Sequence, residues 1–174
     1  MKNPMKNLFL ALSLSILSMT AVLASDLNSE LNVIKGLQQP SENLYISGQP
    51  PAESFAALAK AGVHHVINLR PPEETPNLNE AALATQANLA YYNIPISGAA
   101  DLTHDNVKLL DSLLKKIGDE KVILHCSSGN RAGALMALRA AWIHGTSAEQ
   151  AIQIGERHGL TKLQPKVEGL LAEQ

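Results

Sequence analysis

The stretch "KVILHCSSGNRAGALMALRAAW", residues 121–142, joins a β-strand pattern directly to a helix pattern. Its first five residues are mainly branched and apolar, which favours a buried strand, whereas Ala132 to His144 has a helical composition. Between the two patterns lie Cys126, the only cysteine of the chain, and Arg131. This order predicts a short glycine-containing loop at the carboxyl end of a buried strand.

The rest of the chain alternates between short apolar segments and helical periodicities. Strands are predicted in "LYISGQPP" (44–51), "VHHVINL" (63–69), "YYNIPI" (91–96) and "KVILH" (121–125). Helices are predicted at Ala52–Ala61, Leu78–Ala90, 104–117 after a Thr103 cap, Ala132–His144, Ala148–His158 after a Thr146 to Glu149 capping box, and Pro165–Ala172. Residues 26–43 are polar and are interpreted as a lead-in segment.

This alternation predicts an α/β fold: a single domain, residues 25–174, with a mainly parallel central sheet of four to five strands flanked by helices. Ligands of such domains bind at the carboxyl ends of the strands, and Cys126 is predicted to lie at one of these ends.

The N-terminal segment has the pattern of a secretory signal. Lys2 and Lys6 precede an apolar run from Leu8 to Val22, which is shorter than the ~20 residues of a membrane span. Cleavage is expected after Ala24, so that residues 1–24 are removed and the protein is periplasmic or secreted, with no membrane attachment. The net charge of −2 and the scarcity of aromatic residues argue against nucleic-acid binding.

The loop after the fourth strand has the composition of an anion site. The backbone amides of Ser127, Ser128, Gly129 and Asn130 and the start of the following helix are expected to face one centre. Arg131 offers a planar fork for an oxyanion. Together these groups would favour the thiolate form of Cys126. The alternative is an ordinary Ser/Gly/Asn turn, in which Cys126 is a small apolar residue.

The segment "HCSSGNRAGAL" resembles the active-site signature of the bacterial protein tyrosine and dual-specificity phosphatase superfamily. The resemblance is to the branch similar to the phosphatase-like domain of beta-lactamase hydrolase-like proteins. "YISGQP", "VINLRPPEE" and "NIPISG" match that branch in the same order. The resemblance covers the whole chain after residue 24 and implies a cysteine-based phosphatase fold, with Cys126 as the nucleophile and Arg131 as the oxyanion-binding residue.

Other site residues follow from the same resemblance. A phosphatase of this type uses an Asp on the loop before the helix that precedes the Cys strand, and Asp101 is the best placed; an ordinary helix-start carboxylate is the alternative. His125 is expected to tune the nucleophile, although alone it reads as a strand-end histidine. Ala132 stands where many phosphatases carry Ser or Thr. Arg70 is expected either to bind the anionic substrate or to pair with Glu73 or Glu74. Gly48 and Gln49 are expected to shape a turn near the pocket rim.

The predicted function is an exported cysteine-dependent phosphatase acting on a phosphorylated protein or a small phosphate ester. No cofactor is expected, and no metal, because the adjacent His64 and His65 would point to opposite faces of a strand. Two alternatives remain. The first is a rhodanese-like sulfurtransferase or persulfide carrier. Only four residues separate Cys126 from Arg131, instead of the five usual in the superfamily, and that spacing is the one found in rhodanese-type sulfurtransferases. Ala132 and the open identity of the acid also fit a catalytically weak anion-binding module.

Overall fold

The computed structural model describes residues 29–173. The predicted signal segment, residues 1–24, therefore lies outside the described residues. Among residues 29–173, no helix has both the length and the apolar character that crossing a membrane requires.

A five-stranded sheet forms the centre of the fold. Its strands are β1 (Gln38–Ser41), β2 (Leu44–Ser47), β3 (Val63–Asn68), β4 (Ala90–Asn93) and β5 (Lys121–His125), in the spatial order β1-β2-β5-β3-β4. β2, β5, β3 and β4 run parallel, and only β1 is antiparallel to its neighbour. The predicted α/β fold with a mainly parallel sheet is confirmed.

Six named helices flank the sheet. They are α1 (Ser54–Lys60), α2 (Glu80–Gln86), α3 (His104–Ile117), α4 (Asn130–Trp142), α5 (Ala148–Arg157) and α6 (Gln164–Ala172). Two short 3-10 turns, Pro72–Glu74 and Ala99–Asp101, lie in the loops after β3 and β4. The Thr103 cap of α3 is confirmed, because its side chain accepts a hydrogen bond from the Asn106 amide at 3.3 Å.

Three local predictions are wrong in detail. The lead-in segment contains β1, a polar edge strand whose Pro40 and glutamines give no apolar alternation to detect. The second helix ends at Gln86 rather than Ala90, because Asn88 has φ 58° and turns the chain into β4. Helix α5 is capped by Ser147, whose hydroxyl accepts from the Gln150 amide, and not by the predicted box starting at Thr146.

Two apolar cores cover the two faces of the sheet. β5 contributes to both, because alternate side chains of a strand point to opposite faces. Val122 and Leu124 pack into the core shared with helices α3 to α6, whereas Ile123 packs against Phe55 and Leu58 of α1. β5 is therefore buried on both faces and holds its carboxyl end in a fixed place.

The strand register brings four polar residues into one row. Ser47 of β2 and Asn68 of β3 are both opposite His125 of β5, and Asn93 of β4 is opposite Asn68. All four are the last residues of their strands. The carboxyl edge of the sheet is therefore a polar platform, and Cys126 follows directly after it.

Candidate active site

Residues 126–131 form a tight loop between β5 and α4. Gly129 has φ 88°, a conformation that a residue with a Cβ rarely adopts, and its amide lies 3.2 Å from the Cys126 sulfur. The Cys126 amide donates to the Ser47 carbonyl at 3.3 Å, which ties the loop to β2. Cys126 is completely buried. The curl predicted for this loop is present, with one backbone amide directed at the sulfur.

The loop is held from outside by two close backbone approaches. A Cβ on Gly48 would lie 2.9 Å from the Ser127 carbonyl oxygen, so this position is restricted to glycine. Gly159, between α5 and α6, has φ 91°, and a Cβ there would lie 3.1 Å from the Gly129 carbonyl oxygen. Gly48 thus shapes the turn beside the pocket, as predicted, and Gly159 is a further support that the sequence did not reveal.

Arg131 is almost fully buried and uses both terminal nitrogens of its guanidinium. Nη1 donates to Glu74 Oε1 at 2.7 Å and to the Ile96 carbonyl at 2.6 Å, while Nη2 donates to Glu74 Oε2 at 2.8 Å and to Ser127 Oγ at 3.2 Å. The pKa of Arg131 is raised, first by the hydrogen bonds to Glu74 and also by the nearby Cys126, against the effect of burial. The guanidinium thus stays charged beside the sulfur.

Glu74 is a site residue whose contact with Arg131 the sequence did not predict. It was considered only as a partner for Arg70, yet its carboxylate binds Arg131 bidentately across 57 positions of sequence. Hydrogen bonds from Arg131 hold the pKa of Glu74 below its ordinary 4.5, Arg70 adds to this effect, and partial burial opposes it. An ionised carboxylate therefore sits in the arginine fork. The "RPPEE" segment was the available signal.

Arg70 lies one step away from the loop. Its Nε donates to Glu74 Oε2 at 3.0 Å and its Nη1 donates to Gln49 Oε1 at 2.8 Å. Of the two predicted roles, the structure contains the pairing with Glu74. Arg70 therefore holds the carboxylate that faces Arg131, and Gln49 in turn holds Arg70.

The remaining loop residues differ in where their side chains point. Ser127 and Ser128 are exposed, and Ser128 forms a backbone bridge to Gly48. Asn130 turns its side chain away, since its Oδ1 accepts from the Thr161 amide at 2.8 Å and the Leu163 amide at 3.3 Å. Ala132 is fully buried at the start of α4. The Asn130 side chain thus supports the loop from behind, which leaves only its backbone to face an anion.

A buried polar cluster lies behind the nucleophile. Glu80, only 3% exposed, has Oε1 at 2.7 Å from His125 Nε2, and its Oε2 accepts from Asn68 at 2.9 Å and from Gln49 at 3.2 Å. Nδ1 of His125 lies 3.3 Å from the Cys126 carbonyl oxygen. A buried carboxylate is unfavourable unless it is paired, and the hydrogen bonds from Asn68 and Gln49 hold Glu80 beside His125. The short contact between Glu80 Oε1 and His125 Nε2 lacks hydrogen-bond geometry. No sequence pattern predicted the role of Glu80.

Asp101 lies in the loop after β4, within the 3-10 turn before α3. Its Oδ2 accepts from the Ser97 amide at 2.6 Å, and its carbonyl accepts from Asn106 Nδ2 at 2.8 Å. The same loop reaches the site through the Ile96 carbonyl, which binds Arg131. The structure thus brings Cys126, Arg131 and Glu74 together and places Asp101 on the adjoining loop.

The two adjacent histidines do not share a ligand. His65 stacks on Tyr92 with 6.0 Å between ring centroids and lies 3.0 Å from Glu120, whereas His64 is exposed. Within residues 29–173, no group of three or more His, Cys, Asp or Glu side chains is arranged to hold a metal ion.

A comparison with protein families identifies this arrangement. Residues 38–168 match the family described as Swiss Army Knife protein, DSP-PTPase phosphatase domain (PTP-SAK). The chain belongs to this family. The match runs from the first strand to the last helix and includes the whole Cys126 loop, so the resemblance predicted from the sequence motifs is confirmed.

Curated relatives carry this domain within longer chains. The chain is 33% identical over 123 residues to the beta-lactamase hydrolase-like proteins of Xylella fastidiosa strains Temecula1 and 9a5c. The match covers 68% of this chain but only 28% of those relatives. The chain is thus similar to one part of each.

Solved structures of phosphatases share the fold. A protein of Shewanella putrefaciens CN-32 described as "Putative phosphatase (DUF442)" is 28% identical, with a TM-score of 0.66 over 83% of this chain and 94% of that one. TpbA of P. aeruginosa, solved with phosphotyrosine, is 20% identical, with a TM-score of 0.56 over 77% of this chain and 81% of its own. The second likeness concerns the fold alone. This PTP-SAK domain is thus a cysteine-based phosphatase fold.

Proposed function

We propose that this PTP-SAK domain is a phosphatase that hydrolyses phosphate monoesters through a cysteinyl-phosphate intermediate. The observation that carries the proposal is the pairing of a buried Cys126 sulfur, contacted by the Gly129 amide, with a charged Arg131 that already grips an oxyanion, the Glu74 carboxylate. A carboxylate and a phosphate present similar oxygen pairs to the guanidinium fork.

The proposed reaction has two steps. The Cys126 thiolate attacks phosphorus, an S–P bond forms as the P–O bond to the leaving group breaks, and Asp101 gives a proton to the leaving oxygen. Water then attacks the same phosphorus, passes its proton to Asp101, and releases inorganic phosphate with the thiolate regenerated. Arg131 and the loop amides stabilise the equatorial oxygens in both steps.

Physiological context is part of the proposal. The substrate is a phosphorylated protein or a small phosphate ester. The Lys2, Lys6 and Leu8 to Val22 pattern supports export to the periplasm or the medium.

A second candidate is a rhodanese-like sulfurtransferase or persulfide carrier. It is favoured by the four residues between Cys126 and Arg131 and by the amide that already contacts the sulfur. A catalytically weak anion-binding module is favoured by Ala132 and by the Asp101 carboxylate, which is bound within its own loop.

One assay panel separates these functions. The wild type is expected to hydrolyse an aryl phosphate, and Cys126→Ser is expected to lose that activity while still binding inorganic phosphate. Sulfur transfer from thiosulfate to cyanide without phosphate hydrolysis would replace the proposal with the second candidate. Phosphate binding without either reaction would leave the binding module.

A further inference from the structure

A cavity of about 540 Å³ opens at the carboxyl ends of β3 and β4. It is bounded by the loop after β3 and by the first turn of α2, from Pro72 to Ala81. This volume lies within the ~300–1,000 Å³ typical of small-molecule sites. None of the residues that line this cavity takes part in the two-step reaction proposed above.

The walls of the cavity are rich in uncharged polar groups. Eight of the twelve lining residues are polar, namely Asn68, Arg70, Thr75, Asn77, Asn79, Glu80, Tyr91 and Asn93, and the other four, Pro72, Pro76, Leu78 and Ala81, are apolar. Tyr91 is the single aromatic residue in this lining, which lies wholly within the described part of the chain. A planar aryl group gains most from apolar and aromatic faces, whereas amides and hydroxyls suit a group that carries hydroxyls of its own.

Internal hydrogen bonds leave Tyr91 as a donor toward the cavity. Asn68 Nδ2 donates to the Tyr91 hydroxyl oxygen at 3.0 Å, so the hydroxyl proton is free to be donated elsewhere. Burial is the main cause that raises the pKa of Tyr91 above its ordinary 10.0, and the phenol therefore keeps its proton at neutral pH.

Two asparagines supply complementary capacity. Asn79 Oδ1 accepts from the Ala82 amide at 3.1 Å, which leaves its NH₂ group as a donor. Asn93 Nδ2 donates to the carbonyls of Asn68 and Arg70, both at 2.9 Å, which leaves its Oδ1 as an acceptor. The cavity thus offers donors and acceptors together, as a polyol requires.

The charged side chains of the lining already have polar partners. Arg70, the one cation in it, pairs with Glu74 at 3.0 Å, and Glu80 is buried against His125 at 2.7 Å. An additional phosphate or carboxylate in the cavity would have to displace Glu74 or Gln49 from Arg70, the cation of the lining. A neutral polar group needs no such displacement and is therefore favoured over a second anionic group.

The cavity adjoins the Cys126 loop through two residues that bridge them, Glu74 and Glu80. Arg70 and Pro72 line the cavity, and Glu74, at the end of the same 3-10 turn, holds Arg131. Glu80 also lines the cavity and contacts His125, the residue before the nucleophile. An ester with its phosphate at Arg131 would therefore have its alcohol part beside this cavity.

We propose that the cavity is a leaving-group subsite that selects a neutral, hydroxyl-rich alcohol such as the sugar part of a sugar phosphate. This inference rests on the proposed phosphatase function, because the phosphate is placed at the Cys126 loop. The alcohol leaves into the cavity after Asp101 protonates its oxygen.

The test uses the Cys126→Ser full-length protein, which retains the bound ester. Glucose phosphate, esterified at its primary hydroxyl, and phenyl phosphate are titrated by calorimetry and by amide NMR. Glucose phosphate is expected to bind more tightly and to shift the side-chain NH₂ signals of Asn77 and Asn79 together with the Gly129 amide. Tyr91→Phe removes one hydrogen-bond donor and is expected to weaken the binding of glucose phosphate about fivefold. The affinity of the same variant for phenyl phosphate should change less than about twofold.

Tyr92→Phe is the matched control, because Tyr92 is the next residue of β4 but lies outside this cavity. It is expected to leave both affinities unchanged. Equal binding of the two esters, unshifted Asn77 and Asn79 signals, or a Tyr91→Phe variant with unaltered affinity would each overturn the subsite. A Gly129 shift and wild-type hydrolysis without the Asn shifts would leave the phosphatase standing and the subsite refuted. Asn shifts without any hydrolysis by the wild type would refute the phosphatase, and the cavity would then bind the sugar without serving a leaving group.

Discussion

At the scale of single residues, the decisive contact is between Glu74 and Arg131. Both terminal nitrogens of the guanidinium are engaged by Glu74, Ile96 and Ser127, so an incoming phosphate must use Nε or displace one of these partners. The Glu74 carboxylate is 31% exposed and ionised at neutral pH. It therefore competes with the anion that the site is proposed to bind.

Glu74→Gln is expected to tighten inorganic phosphate binding. The substitution keeps the shape of the side chain and removes a unit negative charge from the site, which at this range and partial exposure corresponds to about tenfold in affinity. The measurement is calorimetric titration in the Cys126→Ser background. Glu73→Gln, on the exposed neighbouring position, is the control for net charge and should change affinity little. Weaker binding by Glu74→Gln would show that Glu74 orients Arg131 rather than competing with phosphate.

At the scale of elements, α4 is fixed by close packing against the turn between α5 and α6. A Cβ on Gly133 would overlap the Leu160 amide nitrogen and would lie 2.7 Å from the Gly159 carbonyl carbon. The same turn supports Gly129 and binds Asn130. The start of α4, and with it Arg131, is therefore positioned by residues near the end of the chain.

Gly133→Ala is expected to destabilise the protein by about 3 kcal/mol, because backbone atoms must move to accommodate the methyl group. Gly169→Ala is the matched control. Gly169 lies in α6, where a Cβ would meet nothing within 4 Å, so alanine should stabilise the protein by roughly 0.5–1 kcal/mol. Urea unfolding monitored by circular dichroism measures both. A neutral Gly133→Ala would contradict the tight contact.

Helices α3 and α4 are joined by Asp111. Its side chain is 7% exposed, accepts from Arg139 Nε at 2.9 Å, and lies 2.7 Å from Lys115 Nζ. Burial acts to raise the pKa of Asp111, but the hydrogen bonds from Lys115 and Arg139 outweigh it and hold the pKa below its ordinary 3.8. A carboxyl whose pKa is lowered by folding stabilises the folded state fully at any pH above its pKa in the unfolded chain. This stabilisation is lost as the pH falls through the pKa of the carboxyl in the folded protein.

Asp111→Asn is therefore expected to lower the free energy of unfolding by about 2 kcal/mol at pH 7. The difference from wild type should shrink once the pH falls below about 4. Asp119→Asn, at an exposed loop position, should stay within about 0.5 kcal/mol of wild type at every pH. Urea unfolding across the pH series measures these differences, and a pH-independent one would contradict the ion-pair account.

At the scale of the whole molecule, the sequence predicted the architecture and only part of the site. Alternating apolar strands and helices, the Thr103 cap and the Cys126 loop are local patterns, and they were predicted correctly. The contacts of Glu74 with Arg131 and of Glu80 with His125 join distant segments, and they depend on the sheet register. The side-chain direction of Asn130 was missed for the same reason, since its partners are Thr161 and Leu163.

Export is also a property of the whole molecule. The mature protein is expected to begin at Ser25, because Lys2, Lys6 and the apolar run to Val22 have the order of a cleaved signal. N-terminal sequencing of the protein from a fractionated native cell measures this. Soluble cytoplasmic protein that retains Met1 would contradict the prediction.

The antiparallel edge strand has a consequence for solubility. β2 is buried at every position, and its outer hydrogen-bonding edge is covered by β1, a short strand with glutamines and Pro40 that is mostly exposed. Without residues 38–41, β2 would present an apolar open edge, the kind of surface on which chains add to one another and aggregate. The family match also begins at residue 38, the first residue of β1. A shortened protein that starts after Ser41 should precipitate because the edge of β2 is open, whereas one that starts at Gln38 and retains Gln38–Ser41 should remain dispersed.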